Sequence, residues 1–216
     1  MRMKLHKSTV TSLFITTCLM VTTMAGADRI GPLAAAGTSD AVKKAVEEKG
    51  YRVSLGEGWT ADFWVARALP TVNTGAAGAL YPDIANGEFV AVVSYSKGAS
   101  DFRGQAIPGG VYTLRYQYIP QDANHMGVSP NPDFLLAIPV TADTNPEEKM
   151  AFQRLVSLSE RASGTAHPAV IALAPTGEAG AVAKDDSGMT VLTVEVPTTA
   201  GKKEKLGIVV RGQATQ

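Results

Sequence analysis

Hydrophobic and polar residues alternate along much of the chain beyond residue 50, which is the pattern of half-buried β-strands. In "GVYTLRYQY", residues 110–118, every even-numbered position from 112 to 118 holds tyrosine or leucine, so these side chains share one face. Alternating or continuous apolar runs predict seven further strands: "YRVSL" (51–55), "DFWVARAL" (62–69), "GEFVAVVSY" (87–95), "DFLLAIPV" (133–140), "PAVIAL" (168–173), "MTVLTVEV" (189–196) and "KLGIVVRG" (205–212).

Two other segments carry the spacing of a helix. The first is "DAVKKAVEEKG" at residues 40–50, with Thr38 or Ser39 available as its N-cap and Gly50 as its stop. Because its apolar stripe is narrow and the segment is short, we expect this helix to dock on a larger surface.

The second predicted helix is "NPEEKMAFQRLVSLSERASG", residues 145–164. Asn145 suits the N-cap, Pro146 the first helical position and Glu148 the capping box, while Gly164 ends the helix. The predicted inward stripe is Phe152, Leu155, Val156 and Ser159.

Strands at short spacing, with only two helices that do not alternate with them, predict a mainly β fold. We expect an antiparallel β-sandwich or jelly-roll-like domain over residues 38–216, with both helices at its periphery. Residues 28–37, "DRIGPLAAAG", show no periodicity and predict a flexible leader ahead of this domain. A long Gly- and Ala-rich connection, residues 70–87, separates two of the predicted strands.

The N-terminus has the three parts of a secretory signal peptide, over residues 1–27. Basic residues precede the short apolar run "SLFITTCLMVTTM", and "AGA" then places Ala25 and Ala27 at the small-residue positions of a cleavage site. The apolar run is shorter than the roughly 20 residues that span a bilayer. We therefore expect export to the periplasm or the exterior, with cleavage near Ala27.

Composition narrows the class of protein further. The single cysteine, Cys18, lies within the predicted signal peptide, so the exported domain has no disulfide and depends on burial for its stability. The chain has 20 basic and 20 acidic residues, and removal of three basic residues with the signal leaves 17 − 20 = −3. No basic stripe of the kind that binds nucleic acid is present.

Five segments occur in order between residues 49 and 173, within a region of resemblance that covers about residues 39 to 175: "KGYRVSLGEG", "FWVA", "SDFRGQAIPGGVYTLRY", "PQDANHMGVSPNPDFLLAIP" and "SGTAHPAVIAL". Together they resemble a family of secreted proteins of unknown function found mainly in acidobacteria. The element "GQAIPGGVYTL" is also similar to part of a broader bacterial domain of unknown function, in which a glycine-turned hairpin leads into an aromatic strand. These resemblances imply a secreted, β-rich protein and carry over no catalytic residue.

Polar residues in two loops are candidate metal ligands. Asp122 and His125 lie in the loop "QDANHMGVSPNPD", Asp133 follows at the start of the next strand, and His167 lies in "SGTAHPAV". If the two loops meet, two imidazoles and two carboxylates would form a ligand set suited to a divalent ion such as zinc. The alternative is that these side chains make turns and backbone hydrogen bonds.

Nucleophilic chemistry has weaker support. Ser129 and Ser163 are available, but neither lies in a G-x-S-x-G turn, and Ser163 is four residues from His167. The sequence "GEG" at residues 56–58 precedes no predicted helix, so it is not a phosphate-binding loop.

Aromatic residues provide a third kind of candidate site. Trp59, Tyr116 and Tyr118 would present rings with polar tips to a sugar or a peptide, whereas Trp64 is expected in the core. Arg103 is expected to pair structurally with Asp101 or another carboxylate.

We therefore expect an exported, non-enzymatic binding module or envelope-associated structural module that needs no cofactor. Its ligand would be a protein or a carbohydrate of the cell envelope. The alternative is a metal-binding protein or metal-dependent enzyme that uses Asp122, His125, Asp133 and His167. A third possibility is that an exposed sheet edge accepts a strand from a partner.

Overall fold

Antiparallel β-strands dominate the structure, a computed structural model that describes residues 25–72, 74, 76–119 and 128–211. The described strands are β1 (Ala25–Gly26), β2 (Asp28–Ile30), β3 (Gly50–Gly56), β4 (Trp59–Val65), β5 (Phe89–Tyr95), β6 (Ala99–Ser100), β7 (Ala106–Ile107), β8 (Gly110–Tyr118), β9 (Asp133–Pro139), β10 (Val170–Ala174), β11 (Ala181–Lys184), β12 (Thr190–Pro197) and β13 (Lys203–Arg211). The helices are α1 (Asp40–Ala45) and α2 (Phe152–Ser163). The mainly β class predicted from the alternating pattern is confirmed.

Eleven strands form one antiparallel sheet in the order β1-β11-β12-β13-β10-β9-β8-β5-β4-β3-β2, while β6 and β7 form a separate hairpin. The sheet turns from one layer to the next at β10, where residues 170–172 pair with β9 and residues 173–174 pair with β13. Side chains of both layers, such as Phe63 and Leu192, share one apolar core. The result is a β-sandwich in which most neighbouring strands are also consecutive in sequence.

The N-terminal segment joins the other side of the two layers. β1 pairs with β11 and β2 pairs with β3, and between them the N–H of Ala27 donates to the carbonyl of Gly180 at 2.8 Å. We call residues 25–30, together with the adjoining edges of β11 and β3, the seam. Both ends of the sheet thus meet at one short segment.

The seam corrects the prediction of a flexible leader over residues 28–37. Asp28–Ile30 is a strand, and Leu33 is only 5% exposed in the core. A three-residue strand and a single buried leucine provide too few positions for a repeating hydrophobic pattern. The sequence alone therefore did not indicate them. Of the predicted signal peptide, residues 1–24 lie outside the described residues.

Helix α2 begins six residues later than predicted, at Phe152 and not at Pro146. Ala151 is its N-cap, without a side-chain hydrogen bond, whereas Gly164 ends it as predicted, with φ 68° and its N–H donating to the carbonyl of Glu160. The helix covers the outer face of β9, where Phe134, Leu136 and Ile138 point. The residues buried on the helix are Leu155, Leu158, Ser159 and Ala162. Phe152, which is 40% exposed, and the half-buried Val156 were predicted inward, and neither is fully buried.

A buried arginine explains the late start of α2. Arg115 projects from the outer face of β8, is 1% exposed, and forms a two-pronged ion pair with the fully buried Asp143 at 2.7 and 2.8 Å. Its remaining N–H groups donate to the carbonyls of Gly87, Asn145 and Glu148. All five guanidinium N–H groups are therefore used. Two of the bonded carbonyls belong to residues predicted helical, so this network holds that segment outside the helix.

Helix α1 also ends earlier than predicted. Ser39 caps it by accepting from the N–H of Val42 at 3.1 Å, but Val46 leaves the helix to bridge Ala66. Gly50, the predicted stop, is instead the first residue of β3. A Cβ atom at Gly50 would lie 2.7 Å from the carbonyl oxygen of Phe63, so glycine is needed there for strand approach.

The first prediction concerns the buried ion pair. We expect Asp143→Ala to lower the free energy of unfolding by about 3–5 kcal/mol, because it leaves the buried Arg115 charge without a counter-ion. Lys43→Ala, which removes the exposed Lys43–Asp40 pair, should cost less than about 1 kcal/mol. Urea denaturation of both variants measures the difference. Equal losses would show that Arg115 and Asp143 do not hold the segment in place.

The second prediction concerns the turn between β3 and β4. Glu57 and Gly58 have φ values of 47° and 68°, as in a two-residue hairpin turn that favours Asn-Gly. Glu57→Asn should therefore raise the free energy of unfolding by about 0.5–1 kcal/mol. Glu57→Ala removes the same charge without relieving the backbone strain and should show no gain. A gain in both variants would assign the effect to charge.

Candidate functional site

Asp133, one of the four predicted metal ligands, is used inside the fold. It is fully buried, and its carboxylate accepts from the backbone N–H groups of Leu80 and Tyr81 at 3.0 and 2.9 Å. The hydroxyl oxygen of Tyr116 lies 3.3 Å from the same carboxylate. Asp133 therefore anchors the long connection between β4 and β5 against the end of the sandwich.

The structure does not bring Asp133 and His167 together. Asp133 is opposite Tyr118 at one end of β9, whereas the β9–β10 register places the exposed His167 beyond the other end, near Pro139. Six residues of extended chain separate the two positions, or roughly 20 Å. Asp122 and His125 lie outside the described residues. Within residues 25–72, 74, 76–119 and 128–211, no group of three or more His, Cys, Asp or Glu side chains could hold a metal ion.

Ser163 is not positioned as a nucleophile activated by His167. Its hydroxyl donates to the backbone carbonyl of His167 at 2.6 Å, and it also contacts the hydroxyl of Thr165 at 3.2 Å. Thr165 donates in turn to Gln105 at 2.7 Å. These bonds fasten the end of α2 to the β6–β7 hairpin, so the loop has a structural role. Arg103 joins the same contact by donating to the carbonyl of Pro168 at 3.3 Å, not to Asp101.

The three predicted ligand-binding aromatic residues do not form one surface. Tyr116 is completely buried, and its hydroxyl donates to the carbonyl of Tyr81 at 2.9 Å, so the prediction that it contacts a ligand is wrong. Tyr118 is half-buried, and its hydroxyl donates to the carbonyl of Ala77. Trp59 is half-buried at the opposite end of the sandwich, beside the turn at residues 56–58. Trp64 lies in the core as expected, and its indole N–H donates to the carbonyl of Gly31 at 2.9 Å.

A charged groove runs along the seam, in a part of the chain where the sequence predicted no site. Its volume is about 480 Å³. The side chains that give it its chemical character are Arg29, Glu47, Lys49, Tyr51, Glu195 and Lys203. Three cations and two carboxylates leave a net charge of +1 around it. We call it the seam groove.

The geometry of Arg29 distinguishes this groove. Arg29 on β2 is directly opposite Tyr51 on β3, and its guanidinium carbon lies 4.1 Å from the centre of the tyrosine ring. One Nη is 3.5 Å from the carbonyl of Lys49, the outer limit of a hydrogen bond. Lys203, by contrast, forms an ion pair with Glu195, with 3.2 Å between its Nζ and the carboxylate oxygen. The described residues supply no carboxylate partner within 4.0 Å of Arg29. A stacked guanidinium keeps its edge available for planar anions.

The signal that could have located this site was weak. Arg29 lies in "DRIGPLAAAG", a segment without periodicity, and its opposition to Tyr51 depends on the pairing of two strands. Sequence reasoning placed the candidate chemistry in the longer polar loops instead. A short strand that borders a groove is recognised only after the register is known.

Two other grooves contain charged or aromatic side chains, and several of these are bonded within the fold. In the first, of about 490 Å³, the buried Glu88 carboxylate pairs with the largely exposed Lys149 at the mouth. The second, of about 480 Å³, contains Trp59, and its lysine, Lys97, donates to the carbonyl of Glu57 at 3.0 Å.

The third prediction follows from Tyr81, whose hydroxyl donates to the carbonyl of Ala174 and accepts from the N–H of Gly207, both at 2.7 Å. Burial raises the pKa of Tyr81 to about 12, with a smaller contribution from the nearby Asp133 carboxylate. Since a tyrosine in the unfolded chain ionises near pH 10, the unfolded state loses its proton first and stability falls between pH 10 and 12. Stability is unaffected by this group below pH 10.

The free energy of unfolding of Tyr81→Phe should therefore fall less than that of the wild type between pH 10 and 12. At pH 7 the variant should be less stable than the wild type, because two hydrogen bonds are missing. Urea unfolding at several pH values measures both slopes. Burial also raises the pKa of Tyr116 and of Tyr95. The free energy of unfolding of Tyr81→Phe should therefore still fall to some extent above pH 10. An unchanged slope would contradict the assignment to Tyr81.

In the described part of the chain, no helix has the length and apolar character needed to cross a membrane. Comparison with protein-family models, with curated proteins and with solved structures found no match to this chain.

Proposed function

We propose that this protein is an exported, non-enzymatic binding module of the cell envelope, and that it binds an anionic group of its ligand in the seam groove. The observation that carries the proposal is Arg29, stacked on Tyr51 beside the groove without a carboxylate partner among the described residues. Export to the cell envelope is supported by the signal-peptide pattern of residues 1–27.

Two features support binding over catalysis. The hydroxyl of Ser163 and the carboxylate of Asp133 are both occupied by hydrogen bonds within the fold. The seam groove, by contrast, presents a charged side chain in a fixed position, because Arg29 and Tyr51 lie on paired strands. Rigid presentation of a charged group lowers the ordering cost of binding.

Arg29 suits a carboxylate, sulfate or phosphate for physical reasons. Its guanidinium lies against the ring of Tyr51, which is 8% exposed, so one face of the cation is shielded from water. Hydrogen bonds to charged groups contribute about 1.5–3 kcal/mol each, and planar anions accept two from one arginine. The Glu195 carboxylate in the same groove disfavours a second negative charge and favours ligands that carry one isolated anionic group.

The fourth prediction uses sulfate as a probe. Sodium sulfate added at constant ionic strength should shift the ¹H–¹⁵N signals of Arg29, Lys49 and Gly180, which border the groove. Arg29→Gln should weaken this binding at least about tenfold, which corresponds to about 1.4 kcal/mol. Glu195→Gln should strengthen it, because a like charge is removed and Lys203 is released.

Arg154→Gln is the matched control, since Arg154 lies on α2 with a side chain that is 58% exposed and pairs with Glu148 at 2.9 Å. This variant should bind sulfate as the wild type does. If Arg29→Gln also binds sulfate as the wild type does, or if the shifts spread evenly over the surface, the seam groove is not the binding site.

A further inference from the structure

The three residues that complete the seam are the residues at the predicted cleavage site. Ala25 pairs with Val182 and Gly26 pairs with Ala181, and the N–H of Ala27 donates to the carbonyl of Gly180. Cleavage after Ala27 would remove all three. The chain would then begin at Asp28, which pairs with β3 and not with β11.

Removal of β1 changes β11 from an internal strand into an edge. On its other side β11 remains paired with β12 through residues 182–184, so it stays part of the sheet. Its outer backbone groups, including the carbonyl of Gly180, would lose their partners. β11 contains no proline and only one charged residue, Lys184 at its end, so the usual protection of an edge strand is weak.

We propose that, after removal of the signal peptide, the edge of β11 accepts an extended segment of a partner protein, which pairs antiparallel in the place of β1 and directs an acidic side chain to Arg29. This inference rests on the proposed function, because it names the ligand class of the seam groove. The binding mode is strand addition, in which the backbone supplies affinity and side-chain contacts supply specificity.

The chain itself shows that a strand fits at this position. Residues 25–27 occupy it with antiparallel pairing and a 2.8 Å hydrogen bond. A Cβ atom added at Gly26 would lie 4.0 Å from the carbonyl oxygen of Gly180, which is ordinary contact, so the site accepts residues larger than glycine. Ala27 borders the seam groove together with Arg29. A partner residue in the place of Ala27 would therefore border the groove as well.

Charge favours an acidic residue at that place. Among the groove side chains Lys203 is paired with Glu195, whereas Arg29 is stacked on Tyr51 with an edge available. A carboxylate opposite Arg29 would form a charge-assisted pair in a site partly shielded from water. A basic residue there would face three cations.

The experiment uses the exported protein, produced with its own signal sequence, with its N-terminus determined by intact mass. Three heptapeptides serve as probes: Val-Thr-Thr-Met-Ala-Gly-Glu, the same peptide ending in Lys, and the Glu peptide with an N-methylated final residue. The third cannot donate the hydrogen bond that Ala27 gives to Gly180. Amide hydrogen exchange over residues 179–184 and binding by calorimetry are the measurements.

We expect a chain that begins at Asp28, rapid exchange at Val182, which pairs with Ala25 in the uncleaved chain, and slower exchange when the Glu peptide is added. The Lys peptide should bind at least about tenfold more weakly, and Arg29→Gln should remove that difference. The N-methylated peptide should not slow exchange.

A chain that keeps residues 25–27, equal binding of the N-methylated peptide, or slow exchange without peptide would overturn the inference. If slow exchange depends on protein concentration and light scattering shows a dimer, a second copy occupies the edge and the partner proposal fails. The sulfate titration separates the two proposals: a response to sulfate without a response to the Glu peptide keeps the seam groove and rejects strand addition.

Discussion

An unpaired strand edge leaves backbone N–H and C=O groups without partners, and the way the edges are paired organises the molecule. Eleven antiparallel strands form one continuous sheet whose two ends come together at residues 25–30. The turn at β10 joins the layers on one side, and the short N-terminal segment joins them on the other. The apolar core, the two exposed ends and the groove between the layers all take their positions from this arrangement.

A second constraint fixes what lies on the outer face. Arg115 lies on a strand face that a helix covers. Its buried charge is tolerated there only because five hydrogen-bond acceptors surround the guanidinium. Those acceptors come from Gly87 and from residues 143–148, so the network sets the path of the chain between β9 and α2.

The sequence predicted the eight longer strands because each contains enough alternating or consecutive apolar residues to be recognised as a strand. It missed β1, β2 and β11, which have two to four residues and little contrast between faces. The early start assigned to α2 relied on Asn145 and Glu148, whose capping pattern was overridden by a tertiary contact with Arg115. Tertiary contacts also decide the roles of the conspicuous polar residues: Asp133 and Ser163 form hydrogen bonds within the fold, while the position of Arg29 beside a groove became visible only through strand pairing.

The hydrogen bond from the Trp64 indole to Gly31 links one of the two tryptophans directly to the residue that follows β2. Indole emission responds to the polarity and hydrogen bonding of its surroundings, so the fluorescence of Trp64 should report whether the N-terminal strand is docked. Trp59, at the turn between β3 and β4, is at the other end of β4 and supplies an internal reference. The protein thus contains its own optical probe of the seam, and no label is needed to follow its opening in solution.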